Sequence, residues 1–159
     1  MYYTNKETFV LSADGCMDTE RGGLESILAG NDEGAKGCCF SVAMSADGIA
    51  VLSSDGCAAA PDGTRLPVSD YSYAELHQAA PQVSQAIELA RTCQGKIAIT
   101  VHDQTMLRQL RMTLRYADCL DDTIIIGLGL VEAARVASAN PDLHIMGELP
   151  NLPSEIDAL

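Results

Sequence analysis

From residue 96 onward the chain alternates two kinds of periodicity, and that alternation constrains the fold more than any single residue. KIAITV (96–101), TIIIGL (123–128) and LHIMGEL (143–149) are short apolar runs that read as strands. Between them, 104–116 repeats Met106, Leu107, Leu110 and Leu114 at steps of three and four, and LVEAARVASA (130–139) is a second helical stretch. Strand, helix, strand, helix, strand with connections of a few residues is the pattern of right-handed βαβ units on a parallel sheet, so the predicted class is α/β. The run at 123–128 is β-branched and wholly apolar, which predicts a strand covered on both faces.

The first half is less regular. Residues 8–14 read as a short strand, and 23–31 as a helix carrying Leu24, Ile27 and Leu28, stopped by Gly30-Asn31. Residues 38–45 and 49–54 read as strands separated by Ala46-Asp47-Gly48, whose Asp-Gly dipeptide is a turn signal. Residues 56–67 are rich in Gly, Pro and Asp and read as a loop, and 72–78 as a helical turn. A helix follows over 81–93, with Val83, Ala86, Ile87 and Ala90 on one face and Gly95 closing it. A chain of 159 residues has room for one domain with a proper core. No repeat or composition shift divides it, so residues 1–149 are predicted as one domain and 150–159 as a C-terminal arm.

Charge narrows the partners. Ten Lys plus Arg against 22 Asp plus Glu give a net charge of −12 and a pI near 4.4, so the average surface repels phosphate backbones and anionic lipid. With aromatics at 4% and no Trp, a stacking platform for single strands is hard to build, and nucleic acid is not an expected partner. No apolar stretch approaches the ~20 residues of a membrane span, and the N-terminus does not read as a signal peptide. A cytoplasmic protein is expected, with its cysteines (Cys16, Cys38, Cys39, Cys57, Cys93, Cys119) as reduced thiols.

Little chemistry is visible in the residues alone. His77, His102 and His144 are the only histidines, and none lies in a metal-ligand or nucleophile motif. His102-Asp103 is the best placed, because α/β sites are built at the C-terminal ends of parallel strands. Gly127-Leu128-Gly129 follows a strand and opens a helix, yet Glu132 stands where a dinucleotide fingerprint needs its third glycine, so a nicotinamide or flavin dinucleotide is not expected.

Residues 34–55, GAKGCCFSVAMSADGIAVLSSD, resemble in spacing the signature of the glycerophosphodiester phosphodiesterase family, roughly G-A-D-x-I-E-x-D-V-x-x-T-x-D-G-x-x-V-x-x-H-D. Ser12-Ala13-Asp14-Gly15 lies where that family opens with Ala-His-Arg-Gly, and PDGTRLPVSDYSYAEL (61–76) resembles its D-G-T-G-x-V-x-D-x-T-x-x-E-L stretch. KIAIT and TIIIGLGLVEAARVASANPDLHIMGEL resemble its later strands, so the likeness runs over about residues 8–149. It implies a TIM-type barrel in which two histidines act as general acid and base while carboxylates hold a divalent metal.

The residues at those positions depart from the family's chemistry. The first His falls on Ala13 and the adjoining Arg on Asp14; the Glu-x-Asp pair falls on Cys39 and Ser41. The second His falls on Ser54, and the later Glu and Lys on Ala98 and Thr100; only Asp55 and Gly15 are kept. Cys39, Ser41 and Ala98 do not make an oxygen cage for a hard cation, and Ala13 and Ser54 cannot move protons near neutrality. The expected function is therefore a non-catalytic relative acting as a binding or interaction module, with no cofactor. A small-molecule ligand would sit among Asp14, Ser41, Ser54, Asp55 and His102. The alternatives are a phosphodiester hydrolase with a non-standard active site, and a structural subunit with no ligand. Cys16, Cys39 and Cys57 lie at the ends of the first three predicted strands, where three thiolates would suit Zn²⁺ or Cu(I). A complete barrel needs ~250 residues; six predicted strands leave two missing. The expected remedy is closure by a partner chain, most simply a second copy in a homo-oligomer, or by the 150–159 arm.

Overall fold

The computed structural model describes residues 10–93 and 95–148. Five strands form a parallel array in the order β1 (Leu11–Ser12), β2 (Gly37–Met44), β6 (Lys96–Thr100), β7 (Thr123–Gly129) and β8 (His144–Glu148). The order follows the chain without reversal. Helices α1 (Glu25–Asp32), α3 (Val83–Thr92), α4 (Leu107–Tyr116) and α5 (Leu130–Ala139) all contribute to one apolar cluster with the sheet residues Cys38, Phe40, Val42, Ile97, Ile99, Ile125 and Leu128. Helices on one face and strands in sequential order describe a sheet winding in one direction, an incomplete α/β barrel rather than a doubly wound sheet.

Helices α3, α4 and α5 follow their sequence cues closely, whereas α1 runs through the expected stop at Gly30-Asn31 to Asp32, burying Ile27 and Gly30 while Leu28 is exposed. Val83, Ala86, Ile87 and Ala90 face the core of α3, and Leu107, Leu110 and Leu114 that of α4. Pro81 stands before α3, whose N-terminus is closed instead by a reciprocal pair, Gln82 and Gln85. A turn of 3-10 helix, Gln104–Met106, capped by the Asp103 carboxylate, leads into α4. Fully burying Phe40, Ile87, Leu110 or Leu114 contributes about 1.5–3 kcal/mol each, so this helix-facing layer is the main source of stability.

Three strand expectations need correction. The strand expected over 49–54 is β3 (Ala50–Leu52), and it runs antiparallel to β2. The Asp47-Gly48 turn is too short for a crossover, so the two runs pair as a hairpin, with Gly48 at φ +80°. Among the described residues the sheet thus has six strands, five of them parallel. The turn-rich 56–67 stretch contains a second hairpin, β4 (Cys57–Ala59) with β5 (Arg65–Pro67); its strands are three residues each, below the length at which periodicity shows. Together with α2 (Tyr73–Leu76) it covers a separate small core of Val51, Ala58, Val68, Leu76 and Ala80. Finally, β7 is fully covered only on its helix side: Thr123, Ile125 and Leu128 are buried, while Ile124 and Ile126 on the opposite face are half-buried. That face looks into the open side of the barrel, where the described residues supply no further strands to enclose it. The expected 150–159 arm, and residues 8, 9 and 149 of the predicted first and last strands, lie outside the described residues.

Candidate functional site: the concave face and the adjoining cleft

Strand register arranges the concave face in rows. Cys39 pairs with Ala98, Ala98 with Ile124 and Ile124 with His144; one step further, Ser41 pairs with Thr100 and Thr100 with Ile126. Side chains alternate along each strand, so Cys39 and Ser41 share the face turned away from the helices, while Cys38, Phe40 and Val42 face the core. Four positions singled out from sequence, Cys39, Ser41, Ala98 and Thr100, thus stand side by side on two neighbouring strands.

Their interactions are local and largely neutral. The Cys39 Sγ lies 3.9 Å from the Thr100 Oγ1. Burial pushes the Cys39 thiol above its ordinary range; the Thr100 hydroxyl offsets part of the rise, and the Asp14 carboxylate adds to it. A thiol held protonated is a poor nucleophile and a poor metal ligand. Asp14, just past β1, accepts a 2.8 Å hydrogen bond from the Gly22 backbone N–H through Oδ1, while its buried Oδ2 has no protein partner. Ala13 beside it is exposed. His102, one residue beyond Val101 at the end of β6, is exposed as well, and Asp103 is spent on the 104–106 turn.

Ser54 and Asp55 belong elsewhere. They line an open cleft of about 800 Å³ between the 20–25 segment, the β4–β5 hairpin and the chain before α3. Glu20, Arg21, Glu25, Arg65, Cys57 and His77 line it too, giving it mixed charge. Asp14, Ser41 and His102 are not in its wall, so the cleft takes in only Ser54 and Asp55 of the ligand-pocket set drawn from sequence. Asp55 has structural work: its Oδ1 accepts the Cys57 N–H at 3.1 Å and its Oδ2 pairs with Arg65. Those two contacts, the Cys57 amide first, hold its carboxyl below the usual range. Arg65 and Arg21 escaped sequence reading because nothing in their spacing connects them; three segments meet only in the folded chain.

The thiolate arrangement does not form. Cys16 donates to the Ser26 carbonyl at 3.3 Å, Cys39 faces Thr100, and Cys57 opens β4 in the cleft wall. All six cysteines are free thiols. Among the described residues, no three His, Cys, Asp or Glu side chains are grouped to hold a metal. The concave positions do not suit a hard divalent cation either: a protonated thiol, two hydroxyls and a methyl group supply no anionic oxygen.

No protein-family model and no curated protein matches the sequence. Solved structures do match the fold. A glycerophosphodiester phosphodiesterase from Agrobacterium tumefaciens superposes with a TM-score of 0.75 at 16% identity, over 88% of this chain and 66% of its own. The glycerophosphoryl diester phosphodiesterase domain of a Mycobacterium tuberculosis protein gives 0.74 at 16%, over 89% and 60%. A candidate glycerophosphoryl diester phosphodiesterase from Silicibacter pomeroyi gives 0.75 at 16%, over 92% and 67%. This chain has the glycerophosphodiester phosphodiesterase fold. It spans about two thirds of the length of those proteins, which accords with an array that stops short of a closed barrel.

Proposed function

We propose that the chain is a non-catalytic domain on the glycerophosphodiester phosphodiesterase fold, acting as a binding or interaction module. The observation that carries this reading is the composition of the concave face where β2 and β6 adjoin. Cys39, Ser41, Ala98 and Thr100 stand together on β2 and β6 without a carboxylate or a histidine among them. Hydrolysis of a phosphodiester needs charge stabilisation at the phosphoryl oxygens and proton transfer to the leaving group, and each missing proton-transfer group typically costs ~10²–10⁴ in rate. Asp14 contributes negative charge at a place where an anionic substrate would need the opposite. Asp55 serves the hairpin that walls the cleft.

The test is hydrolysis of glycerophosphocholine and of bis(p-nitrophenyl) phosphate with Mg²⁺, Ca²⁺, Mn²⁺ and Zn²⁺ supplied in turn. The expected result is no turnover above buffer with any metal. Turnover that Asp14→Ala or Asp55→Ala abolishes would overturn the proposal and make the chain a hydrolase with a non-standard site.

A further inference from the structure

On the convex side, far in chemistry from the concave face, α4 and α5 enclose a groove of about 620 Å³. Four arginines line it, Arg108, Arg111 and Arg115 from α4 and Arg135 from α5, with Met112 and Val136 between them. The whole chain has only ten Lys and Arg against 22 Asp and Glu, so this one groove gathers four of its ten basic side chains. The sequence of α4 contains no acidic residue, and Arg108, Arg111, Met112 and Arg115 recur at helical spacing as one stripe. Like charges at such spacing disfavour the helix, and only Arg111 is held closely by a carboxylate. Its Nε and a terminal nitrogen donate to the Asp142 Oδ2 at 3.0 and 2.8 Å, and Arg115 stands 3.9 Å from the same oxygen. Arg135 donates to the Gln104 amide oxygen at 2.7 Å, a neutral partner. Arg108 and Arg135 have no ion pair among the described residues. In the middle of the stripe Met112 is 61% exposed, apolar surface flanked by cations.

We infer that this groove docks an acidic peptide segment of a partner protein, one that presents two carboxylates on either side of an apolar side chain. Arg108 and Arg115 are two helical turns apart, ~10.5 Å along the axis. In an extended segment residues two apart share a face. Carboxylates at the first and fifth positions, ~13 Å apart along the backbone, therefore flank an apolar side chain at the third that lies against Met112, and the long arginine side chains take up the difference. Guanidinium forks suit carboxylates. The net charge of −12 disfavours an extended polyanion such as nucleic acid or an anionic bilayer, whose charge continues past the groove. A short segment confines its charge to within a Debye length of the arginines. The groove lies apart from Cys39 and Asp55, so this docking does not depend on whether the chain hydrolyses phosphodiesters.

The test titrates the whole chain into a fluorescein-labelled Glu-Glu-Leu-Asp-Glu peptide, read by anisotropy at 50 and 200 mM salt. The expected result is saturable binding that weakens with salt and falls at least tenfold in Arg108→Glu/Arg115→Glu. Arg91→Glu on α3 should leave it unchanged, with circular dichroism confirming that both variants fold. Three results would overturn the inference: no saturation up to about 1 mM, equal binding by the Arg108/Arg115 variant, or equal binding of a Gln-Gln-Leu-Asn-Gln control. Stronger binding to phosphatidylserine vesicles than to the peptide, lost in the same variant, would replace the peptide with a lipid surface.

Discussion

At Gly127 the chain enters the left-handed region, φ +96°, where β7 changes register against β8 between Ile125 and Leu128. A Cβ there would collide with the Val101 carbonyl oxygen and crowd Thr100, so the position needs glycine for space as well as for conformation. Gly127→Ala is expected to destabilise the fold by ~1–3 kcal/mol, read as a lower urea midpoint with unchanged slope. In the sequence Gly127 reads only as one of two glycines between a strand and a helix, and its close approach to Thr100 and Val101 is not legible there. Asp142 supplies a prediction in pH. Its hydrogen bonds from Arg111 hold the carboxyl below the usual range. A depressed folded-state pKa stabilises the native protein fully above the unfolded value near 3.9, and that contribution is lost as pH falls through the lower folded value. Asp142→Asn should therefore reduce stability at pH 7, and the gap between variant and wild type should close on acidification below pH 4. A gap independent of pH would mean the effect is packing and not charge.

At the scale of elements, the strands decide which residues can act together. Cys39 and Ser41 are two apart on β2, and Ala98 lies directly across from Cys39 on β6. If those positions converge as the register requires, placing acidic side chains there should create a cation site. Cys39→Glu/Ser41→Asp/Ala98→Glu is expected to take up Ca²⁺ with a Kd of about 0.1–1 mM by calorimetry, where the wild type shows no heat. Ala98 is buried, so Cys39→Glu/Ser41→Asp is the companion in case the triple variant does not fold. A folded variant without uptake would mean that the concave rows do not present their side chains to one point. Helices α3, α4 and α5 were legible because each carries a continuous apolar face, and α5 spans the residues its periodicity marks; α1 buries only Ile27 of its expected apolar residues and leaves Leu28 exposed. The β4–β5 hairpin was not, because three-residue strands offer no period to read.

For the whole molecule, the consequence is an open side. Among the described residues β1 pairs only with β2 and β8 only with β7, so each presents one edge without a described partner strand, and Met146 on β8 is 57% exposed. Ile124 and Ile126 are half-buried on the same concave face. Exposed strand edges invite pairing, and a second copy is the simplest cover. Gel filtration with light scattering is expected to give a dimer at micromolar concentration, weakened by Met146→Lys. A strictly monomeric chain would remove the second copy and direct attention to another partner. No described helix is long and apolar enough to cross a membrane.

The sequence by itself determined the α/β class, the four longer helices and the parallel β6–β7–β8 succession, because periodicity and short connections are local properties that need no partner. Its spacing also carried the likeness to a fold that solved structures share at 16% identity. Only the tertiary structure decided that Cys39, Ser41, Ala98 and Thr100 form one neutral patch while Ser54 and Asp55 belong to a separate cleft. It alone gathered four arginines from α4 and α5 into one groove. Register, strand direction and helix packing set those distances, and all three arise between segments remote in sequence.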